Sequence, residues 1–363
     1  MTIKKRRTAI GLMSGTSMDG VDAALVDTDG TDVFSLGAFV SIPYCPEFRD
    51  RLRAIMGSAP SGDYSKLERD LTLYHAEAVR LLMLKASIEA YDVDVIGFHG
   101  QTIFHDPKNA LTCQIGDASL LASETSIEVV SNFRAADVAA GGEGAPLAPI
   151  FHVAMARNFE RPILILNMGG VANITWIGKG GAFIAFDAGP ANALIDDWIQ
   201  AHTDQSYDEG GQFARQGNIN VAALEALLAH QYFELPPPKS LDRNTFSIAP
   251  IKGLSLEDGS ATLVAFTAGA IMKAQKHLPA PPNRWLASGG GRHNPVLMAA
   301  IQQSLSVPVE PIEVVGWDGD ALEAQAFAYL AVRSLAGLPL SYPQTTGAPY
   351  PVIGGDFYSP IVK

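Results

Sequence analysis

Residues 11–27 read GLMSGTSMDGVDAALVD, and the strand–turn–strand form of this stretch decides the fold prediction. A short apolar run, residues 8–13, leads into a Ser-Gly-Thr-Ser turn, and residues 21–27 then alternate as a second strand would. The same form returns in LNMGGVANIT, residues 166–175, where two glycines separate two apolar runs. A chain built from two such halves predicts two similar α/β domains with a cleft between them.

Strand and helix patterns alternate along the whole chain, which predicts α/β architecture with mostly buried sheets. The length of 363 residues is too great for one ordinary core and suits two domains. The first series of strands ends in a glycine-rich loop, residues 135–149, and the second begins with PILILNM, residues 162–168. We expect the boundary near Gly141, with an N-terminal domain of residues 1–140 and a C-terminal domain of residues 141–363.

The chain carries 38 acidic and 26 basic residues, which gives a formal net charge of −12. This acidic balance argues against nucleic acid or an anionic membrane surface as a partner. No apolar run reaches the ~18 residues of a membrane span. The two cysteines, Cys45 and Cys113, stand far apart and in no CxxC pair, so we expect no structural zinc site. These features predict a cytoplasmic protein whose partners are small molecules.

The first turn offers groups that suit a phosphate. Gly15, Thr16, Ser17 and Gly20 place several backbone N–H groups and hydroxyls in one tight turn, so no lysine is needed. The carboxylate of Asp19 is suited to a metal ion that accompanies phosphates, and Asp22 adds a second carboxylate. Read alone, the same turn also fits a plain β-hairpin with a polar loop. Two common phosphate-binding patterns, GxxxxGK[ST] and a GxGxxG that opens a helix, are absent from the sequence.

The second turn and the strand that follows it predict a ligand loop and a general base. Gly169 and Gly170 would let a ligand approach the backbone, and Asn173 could orient that ligand by hydrogen bonds. In FDAGPANALIDDW, residues 186–198, Asp187 follows a buried strand and faces a Gly-Pro turn, a typical place for a general base. Asp187 could instead serve as an N-cap of the helix that begins near Asn192.

Further polar residues stand beside glycine-rich connections. The triple glycine in LASGGGRHNPVLM, residues 286–298, predicts an adenosine site at Gly289, Gly290 and Asn294, although a tight strand–helix connection explains it equally. Further candidates for a functional role are polar residues at strand ends, in the long glycine-rich loop or at a helix start: His99, Gln101, Arg134 and Glu323. His99 could form hydrogen bonds to a substrate or to the backbone, and Glu323 could lie on a solvated helix face.

Taken together, two phosphate turns, an acid after an inner strand and a GGG loop resemble the sugar kinase/Hsp70/actin superfamily. Within it, the chain resembles the anhydro-N-acetylmuramic acid kinase family from about residue 10 to residue 355. The motifs that carry this resemblance are MSGTSMDGVD, FHGQT, NFRxxDxAxGGxGAPL, NMGGVANIT, FDxGPxN, PPPKS and EAxAFAxLA.

The resemblance implies two similar actin/hexokinase-like (ribonuclease H-like) α/β domains, with ATP and Mg²⁺ as cofactors. It implies an enzyme that opens the 1,6-anhydro ring with water and phosphorylates O6, giving N-acetylmuramic acid 6-phosphate for cell-wall recycling. Asp187 corresponds to the family's base, and His99, Gln101, Arg134 and Glu323 to its sugar contacts. The family's ATP loop maps onto Gly15, Thr16, Ser17, Met18, Asp19, Gly20, Val21 and Asp22.

Two other classes of function stay open at this point. One is a kinase of the same superfamily that acts on an unmodified sugar, and the other is a non-catalytic ATP-binding module that uses domain closure as a switch. The motif set disfavours the first, and Asp187 together with two phosphate turns disfavours the second. The oligomeric state is open as well, with a homodimer as one alternative.

Overall fold

The structure, a computed structural model, describes residues 5–15, 17–57, 62–241 and 245–360. Its strands in these ranges are β1 Arg7–Ser14, β2 Gly20–Thr28, β3 Val33–Pro43, β4 Val95–Asp106, β5 Leu111–Ile115, β6 Val129–Ser131, β7 Ile163–Met168, β8 Val171–Ile177, β9 Phe183–Pro190, β10 Trp285–Ser288, β11 Val309–Pro311 and β12 Asp356–Tyr358. Its helices are α1 Pro46–Arg53, α2 Ser65–Ala86, α3 Ala118–Thr125, α4 Ala135–Ala139, α5 Pro149–Met155, α6 Asn192–His202, α7 Val221–Leu228, α8 Leu256–Ala274, α9 Pro295–Ser304, α10 Leu322–Leu335 and α11 Pro343–Thr346.

The strands form two sheets with one shared plan. The first runs β12-β6-β4-β1-β2-β3, with β5 also paired to β4, and the second runs β11-β10-β7-β8-β9. In each sheet the first three strands in chain order pair antiparallel, and two later strands add parallel on the other side of the first strand. This repeated order confirms the prediction of two similar ribonuclease H-like α/β domains.

The division of the chain differs from the predicted boundary at residues 140/141. Contacts divide it into one unit of Met1–Arg157 with Ala321–Lys363, and a second unit of Asn158–Asp320. The sequence prediction places all of residues 141–363 in the second domain. The difference arises because α10, near the end of the chain, packs on β1, β2 and β4 of the first sheet.

Helix α10 lies directly on the backbone of the first sheet. A Cβ atom built on Gly11 of β1 would stand 1.7 Å from the carbonyl oxygen of Ala324, and one on Gly97 of β4 would stand 2.1 Å from that of Phe327. The helix is buried along most of its length, as its apolar composition requires. Two strand glycines therefore set the close approach of helix and sheet.

The glycine-rich loop and the FHGQT stretch differ from their predicted structure. The loop prediction was wrong for residues 135–139, which form α4, because AADVA contains neither glycine nor proline to stop a helix turn. His99 and Gln101 do not lie at a strand end, because β4 continues through them to Asp106, passing Gly100 at a φ of 70°. FHGQT thus lies inside a strand that is irregular at a glycine.

None of the helices within the described ranges is both long enough and apolar enough to cross a membrane.

Three histidines of the first unit are buried and uncharged. Burial lowers the pKa of His75 to about 4 and that of His152 to about 3. Burial also lowers the pKa of His99, and the neighbouring Arg134 lowers it further. The His75 ring rests edge-on against Phe98, at 4.8 Å between ring centroids, and its Nδ1–H donates to the Leu71 carbonyl at 2.8 Å.

Acid is expected to destabilise the first unit through these histidines. Their folded-state pKa lies below the unfolded value of about 6.5, so the unfolded chain binds more protons once the pH falls below 6.5. The free energy of unfolding should therefore fall between pH 7 and pH 5, by about 2 kcal/mol for each of His75 and His152. In His75→Leu the decrease in the free energy of unfolding should be smaller by the contribution of His75, as measured by urea unfolding at both pH values. The exposed His293→Gln should keep the wild-type fall, and an undiminished fall in His75→Leu would contradict the prediction.

Candidate active site

A polar row crosses three strands of the second sheet. Asn167 of β7 pairs with Asn173 of β8, and Asn173 pairs with Asp187 of β9. Directly opposed residues on neighbouring strands share one face of a sheet. A bulge in β9 leaves Ala188 as the extra residue beside Asp187, and bulges re-aim the side chains next to them. The row therefore places two amides and a carboxylate side by side on a sheet that is otherwise mostly apolar.

The Asp187 carboxylate is held in one orientation. The Leu241 N–H donates to its Oδ2 at 2.8 Å, its own N–H donates to the Lys239 carbonyl at 3.1 Å, and the Tyr232 hydroxyl donates to its backbone oxygen at 2.7 Å. The side chain is half-buried, so the carboxylate combines a fixed position with access from outside. Such a group can accept a proton from a water molecule within hydrogen-bonding reach.

Lys239 is a residue that sequence reasoning missed. It is 8% exposed, and its Nζ lies 4.5 Å from the centre of the Tyr232 ring and 5.6 Å from that of Phe186. Burial lowers the pKa of its ammonium group to about 8, against the opposing effect of Asp187. A signal is present in the sequence, because PPPKS carries part of the family resemblance, but no role follows from it.

The second glycine turn and the GGG loop meet in the structure. Gly289 has a φ of 74°, and a Cβ atom there would stand 2.4 Å from Asn167 Oδ1. Asn192 Nδ2 donates to the carbonyls of Met168 and Gly169, at 2.9 and 3.0 Å. Because these contacts join the ends of β7 and β10 to the start of α6, two of the predicted ligand loops and the polar row form one neighbourhood of the second unit.

Asn294 and Arg292, beside the GGG loop, have structural partners. Asn294 Oδ1 accepts the N–H groups of Val296 and Leu297, at 3.0 and 3.1 Å, as the N-cap of α9. Arg292 forms ion pairs of 2.8 Å with both Glu313 and Asp320. The predicted contact of Asn294 with a nucleotide stays a prediction, beside a capping role that the sequence alone did not indicate.

In the first turn the apolar side chains are buried, so the turn can offer a ligand its backbone but not these side chains. Met18 has a φ of 56°, its N–H donates to the Gly15 carbonyl at 3.0 Å, and its side chain is buried. The Val21 side chain also lies in the core of the first unit, and Asp22 is half-buried in β2. Only main-chain groups of Met18 and Val21 could therefore touch a ligand. Thr16 lies outside the described residues.

Asp19 is the carboxylate of this turn that faces solvent. Its side chain is 75% exposed and lies 3.5 Å from Arg49. Across the described part of the chain, no three His, Cys, Asp or Glu side chains group closely enough to hold a metal ion. Mg²⁺ keeps several waters and needs only one or two protein carboxylates beside the phosphates of a substrate, so Asp19 fits such an ion by residue type.

Gln101 is fully buried beneath the first turn. Its Oε1 accepts from Ser14 Oγ at 2.6 Å, and its Nε2 donates to the Gly15 carbonyl at 3.2 Å. Ser14 Oγ also shares a hydrogen bond of 2.8 Å with the Tyr44 hydroxyl. The side chain that the sequence predicts as a sugar contact thus braces the turn, and its contact with a substrate stays a prediction.

His99 and Arg134 form a joined pair in the first unit. Arg134 donates to His99 Nε2 from Nε at 3.1 Å and from Nη2 at 2.9 Å. Because a guanidinium group can only donate, the neutral ring must carry its proton on Nδ1, from which it donates to the Gly100 carbonyl at 2.8 Å. Arg134 Nη1 also donates to the Gly144 carbonyl at 2.8 Å, so the pair fixes the glycine-rich loop against β4.

Buried Asp137 anchors the same loop. Its Oδ2 accepts the Gly144 N–H at 2.7 Å, and its Oδ1 accepts the hydroxyls of Thr346, at 2.7 Å, and Ser341. The loop that carries Glu143 is therefore held from two sides. Glu323, the remaining predicted sugar contact, is exposed in the first turn of α10.

At four glycines of the predicted ligand loops, packing against the described residues would also allow a larger side chain. Gly15, Gly169, Gly170 and Gly290 avoid the left-handed region. A Cβ atom on any of them would find its nearest described neighbour at 3.5–3.9 Å, which is ordinary van der Waals contact. Neither backbone conformation nor this packing requires glycine there. Bare backbone at these places leaves room for a ligand to approach closely.

Two units with the same strand order, glycine turns at the ends of their inner strands and a carboxylate in a polar row agree with the actin/hexokinase-like fold class that the sequence predicts. The family model described as "Anhydro-N-acetylmuramic acid kinase" matches residues 7–360. The chain belongs to the anhydro-N-acetylmuramic acid kinase family and is an enzyme of the kinase class. The predicted resemblance is thereby confirmed.

Curated relatives agree with this assignment. An anhydro-N-acetylmuramic acid kinase of Paramagnetospirillum magneticum is 54% identical over 97% of this chain and 99% of its own length. One of Rhodospirillum rubrum is 52% identical over 96% of this chain and 94% of its own length. A solved ROK family glucokinase from Streptomyces griseus, in complex with glucose and AMPPNP, matches 89% of this chain and 99% of its own at 15% identity and a TM-score of 0.40.

Proposed function

We propose that this enzyme opens 1,6-anhydro-N-acetylmuramic acid with water and transfers the γ-phosphoryl group of ATP to the freed O6. The product would be N-acetylmuramic acid 6-phosphate, and the role would be cell-wall recycling in the cytoplasm. The observation that carries the proposal is the Asp187 carboxylate, oriented by the Leu241 N–H at 2.8 Å within the polar row of the second sheet. Membership of the family supplies the substrate.

The proposed reaction uses one protein base. Asp187 takes a proton from water, the water oxygen bonds to C1 of the sugar, and the bond from C1 to O6 breaks. O6 bonds to the γ-phosphorus as the bond between that phosphorus and the β,γ-bridging oxygen breaks, which releases ADP. An ordinary glycosidase needs a second carboxylic acid to protonate its leaving oxygen. Here the phosphoryl group captures that oxygen, so a single carboxylate is sufficient.

The glycine loops are the proposed nucleotide contacts. Main-chain groups of Gly15, Ser17 and Gly20, and of Gly169 and Gly170, would bind phosphates. Gly289, Gly290 and Asn294 would lie along the adenosine. A Mg²⁺ ion held at Asp19 would neutralise charge on the phosphates. Phosphoryl transfer needs mainly such positioning and charge neutralisation.

The proposed sugar contacts centre on Arg134 and Asn173. Arg134, fixed by His99, offers a guanidinium to the anionic lactyl group or a hydroxyl of the sugar. Asn173 stands next to Asp187 on the neighbouring strand, so it could orient the attacking water or a hydroxyl. Glu323 and Gln101 complete the proposed set, Gln101 through its hold on the first turn.

Mass spectrometry of the product tests the function. The enzyme is incubated with 1,6-anhydro-N-acetylmuramic acid, ATP and Mg²⁺ in ¹⁸O-labelled water. We expect a 6-phosphorylated sugar with the label on C1, because water attacks that carbon. Unmodified N-acetylmuramic acid serves as the comparison acceptor. Phosphorylation of that sugar alone, or a phosphorylated product without the label, would contradict the coupled reaction.

Gly290→Ala should weaken nucleotide binding without harming the fold. The new methyl group would meet no described protein atom closer than 3.9 Å, but it would occupy space proposed for adenosine. We expect KM for ATP to rise about tenfold, the loss of about 1.4 kcal/mol of binding. Thermal melting should stay near wild type. Gly62→Ala, whose nearest neighbour is the Tyr64 ring at 3.4 Å, is the control, and an unchanged KM in Gly290→Ala would exclude this loop from the nucleotide site.

A further inference from the structure

The outer edge of β9 is covered by the segment that carries Lys239. Within the described residues β9 is the last strand of the second sheet, so the main chain of Asp187 pairs with no strand beyond it. Instead the Asp187 N–H donates to the Lys239 carbonyl at 3.1 Å, and the Leu241 N–H donates to Asp187 Oδ2 at 2.8 Å. The position of residues 239–241 therefore decides where the Asp187 carboxylate points.

Three residues close a ring of hydrogen bonds at this place. Lys239 Nζ donates to the Tyr232 carbonyl at 3.1 Å, the Tyr232 hydroxyl donates to the Asp187 carbonyl at 2.7 Å, and the Asp187 N–H donates to the Lys239 carbonyl at 3.1 Å. The ammonium group also lies against the rings of Tyr232 and Phe186. Loss of any one of these three hydrogen bonds would loosen the other two.

A charge in this place is costly for the fold. An apolar side chain of the same length would fill the space beside the two rings without desolvating an ammonium group. Burial lowers the pKa of Lys239 to about 8, and nearby Lys276 lowers it too, while Glu234 and Asp187 act in the opposite direction. His277 also faces the group, and burial lowers its pKa. A buried cation beside a general base points to a role in the reaction rather than in packing.

We propose that Lys239 is a positioning residue for the proposed reaction, one that fixes the orientation of the Asp187 carboxylate and keeps a positive charge beside it. This role rests on the proposed function, because it needs Asp187 to act as a base. The cation favours the ionised carboxylate, the form that can accept a proton. Loss of the charge by titration or by substitution should lower turnover and leave nucleotide binding intact.

The test compares Lys239→Met, Lys239→Arg and Lys276→Met with wild type. Lys276 is the matched control, because it lies in the same charged neighbourhood but is 40% exposed and pairs with Glu234. We expect Lys239→Met to lower kcat roughly 10- to 100-fold with KM for ATP within about twofold of wild type. Wild-type kcat should fall above about pH 8 as the ammonium group loses its proton. Lys239→Arg should shift that fall to higher pH, because a guanidinium stays charged.

The outcomes separate this proposal from the proposed function. The proposed function is tested by the turnover of the wild type and by the loss of turnover in Asp187→Asn. This test does not depend on the Lys239 variants. If wild type is active, a Lys239→Met enzyme with wild-type kcat and an unchanged pH profile would overturn the positioning role. Hydrogen exchange at the amides of Asp187 and Leu241 gives a readout without activity. We expect exchange at these amides to be roughly tenfold faster in Lys239→Met than in Lys276→Met, and equal exchange in the two variants would also overturn the proposal.

Discussion

Asp187→Asn is expected to lower kcat by roughly 10³-fold, because an amide cannot take a proton from water as the carboxylate does. The fold should survive. The new side chain keeps an oxygen that can accept the Leu241 N–H, and the bonds to Lys239 and Tyr232 use the backbone of residue 187. Binding of ATP should therefore stay near wild type. Single-turnover assays of the sugar product, with nucleotide binding by calorimetry, measure the two effects separately.

The matched control for this substitution is Asp204→Asn. Asp204 is exposed and lies in the same unit, shortly after α6, and its substitution should leave kcat unchanged. An Asp187→Asn enzyme that retained near-normal turnover would remove Asp187 from the mechanism. Loss of turnover together with loss of ATP binding would instead point to a disturbed structure.

Gly11→Ala should strongly destabilise the first unit. Its Cβ atom would stand 1.7 Å from the Ala324 carbonyl oxygen and 2.5 Å from the Ala328 nitrogen. Both are backbone atoms of α10, so neither can turn aside as a side chain would. The helix and β1 must move apart, which we expect to cost about 3 kcal/mol or more and to lower the melting temperature by roughly 10 °C.

Gly62→Ala is the control for that prediction. Gly62 also lies in the first unit, and a Cβ atom there would meet the Tyr64 ring at 3.4 Å. Because that is ordinary van der Waals contact, the substitution should cost about 1 kcal/mol or less. Differential scanning calorimetry of both variants measures the difference. Equal melting temperatures would show that α10 can shift on the sheet without cost.

Much of the fold could be predicted from local pattern. The apolar runs beside the two glycine turns predict β1, β2, β7 and β8 to within a few residues, since strand periodicity depends on near neighbours alone. The unit boundary could not be predicted in this way. That α10 belongs with the first sheet depends on contacts of Gly11 and Gly97 with Ala324 and Phe327, far along the chain, and no local pattern carries that pairing.

For the candidate site too, some features could be predicted from the sequence and others could not. Glycine turns and an acid after a buried strand are visible as motifs, so Gly169, Gly170 and Asp187 could be proposed from the sequence. The burial of Gln101 beneath the first turn could not, because it depends on β4 lying beside β1. Nor could the burial of Lys239, because its neighbours come from β9 and from residue 232.

The sequence by itself determined the class of fold, the family and the residue types available for chemistry, because each of these is carried by short motifs and by the periodicity of apolar residues. The tertiary structure decided which strand ends meet, which polar side chains are buried and where the Asp187 carboxylate points. The physical reason is that hydrogen bonds, ion pairs and close packing act over a few ångströms in space. Residues such as Asp187 and Tyr232 come within that range only when the chain has folded.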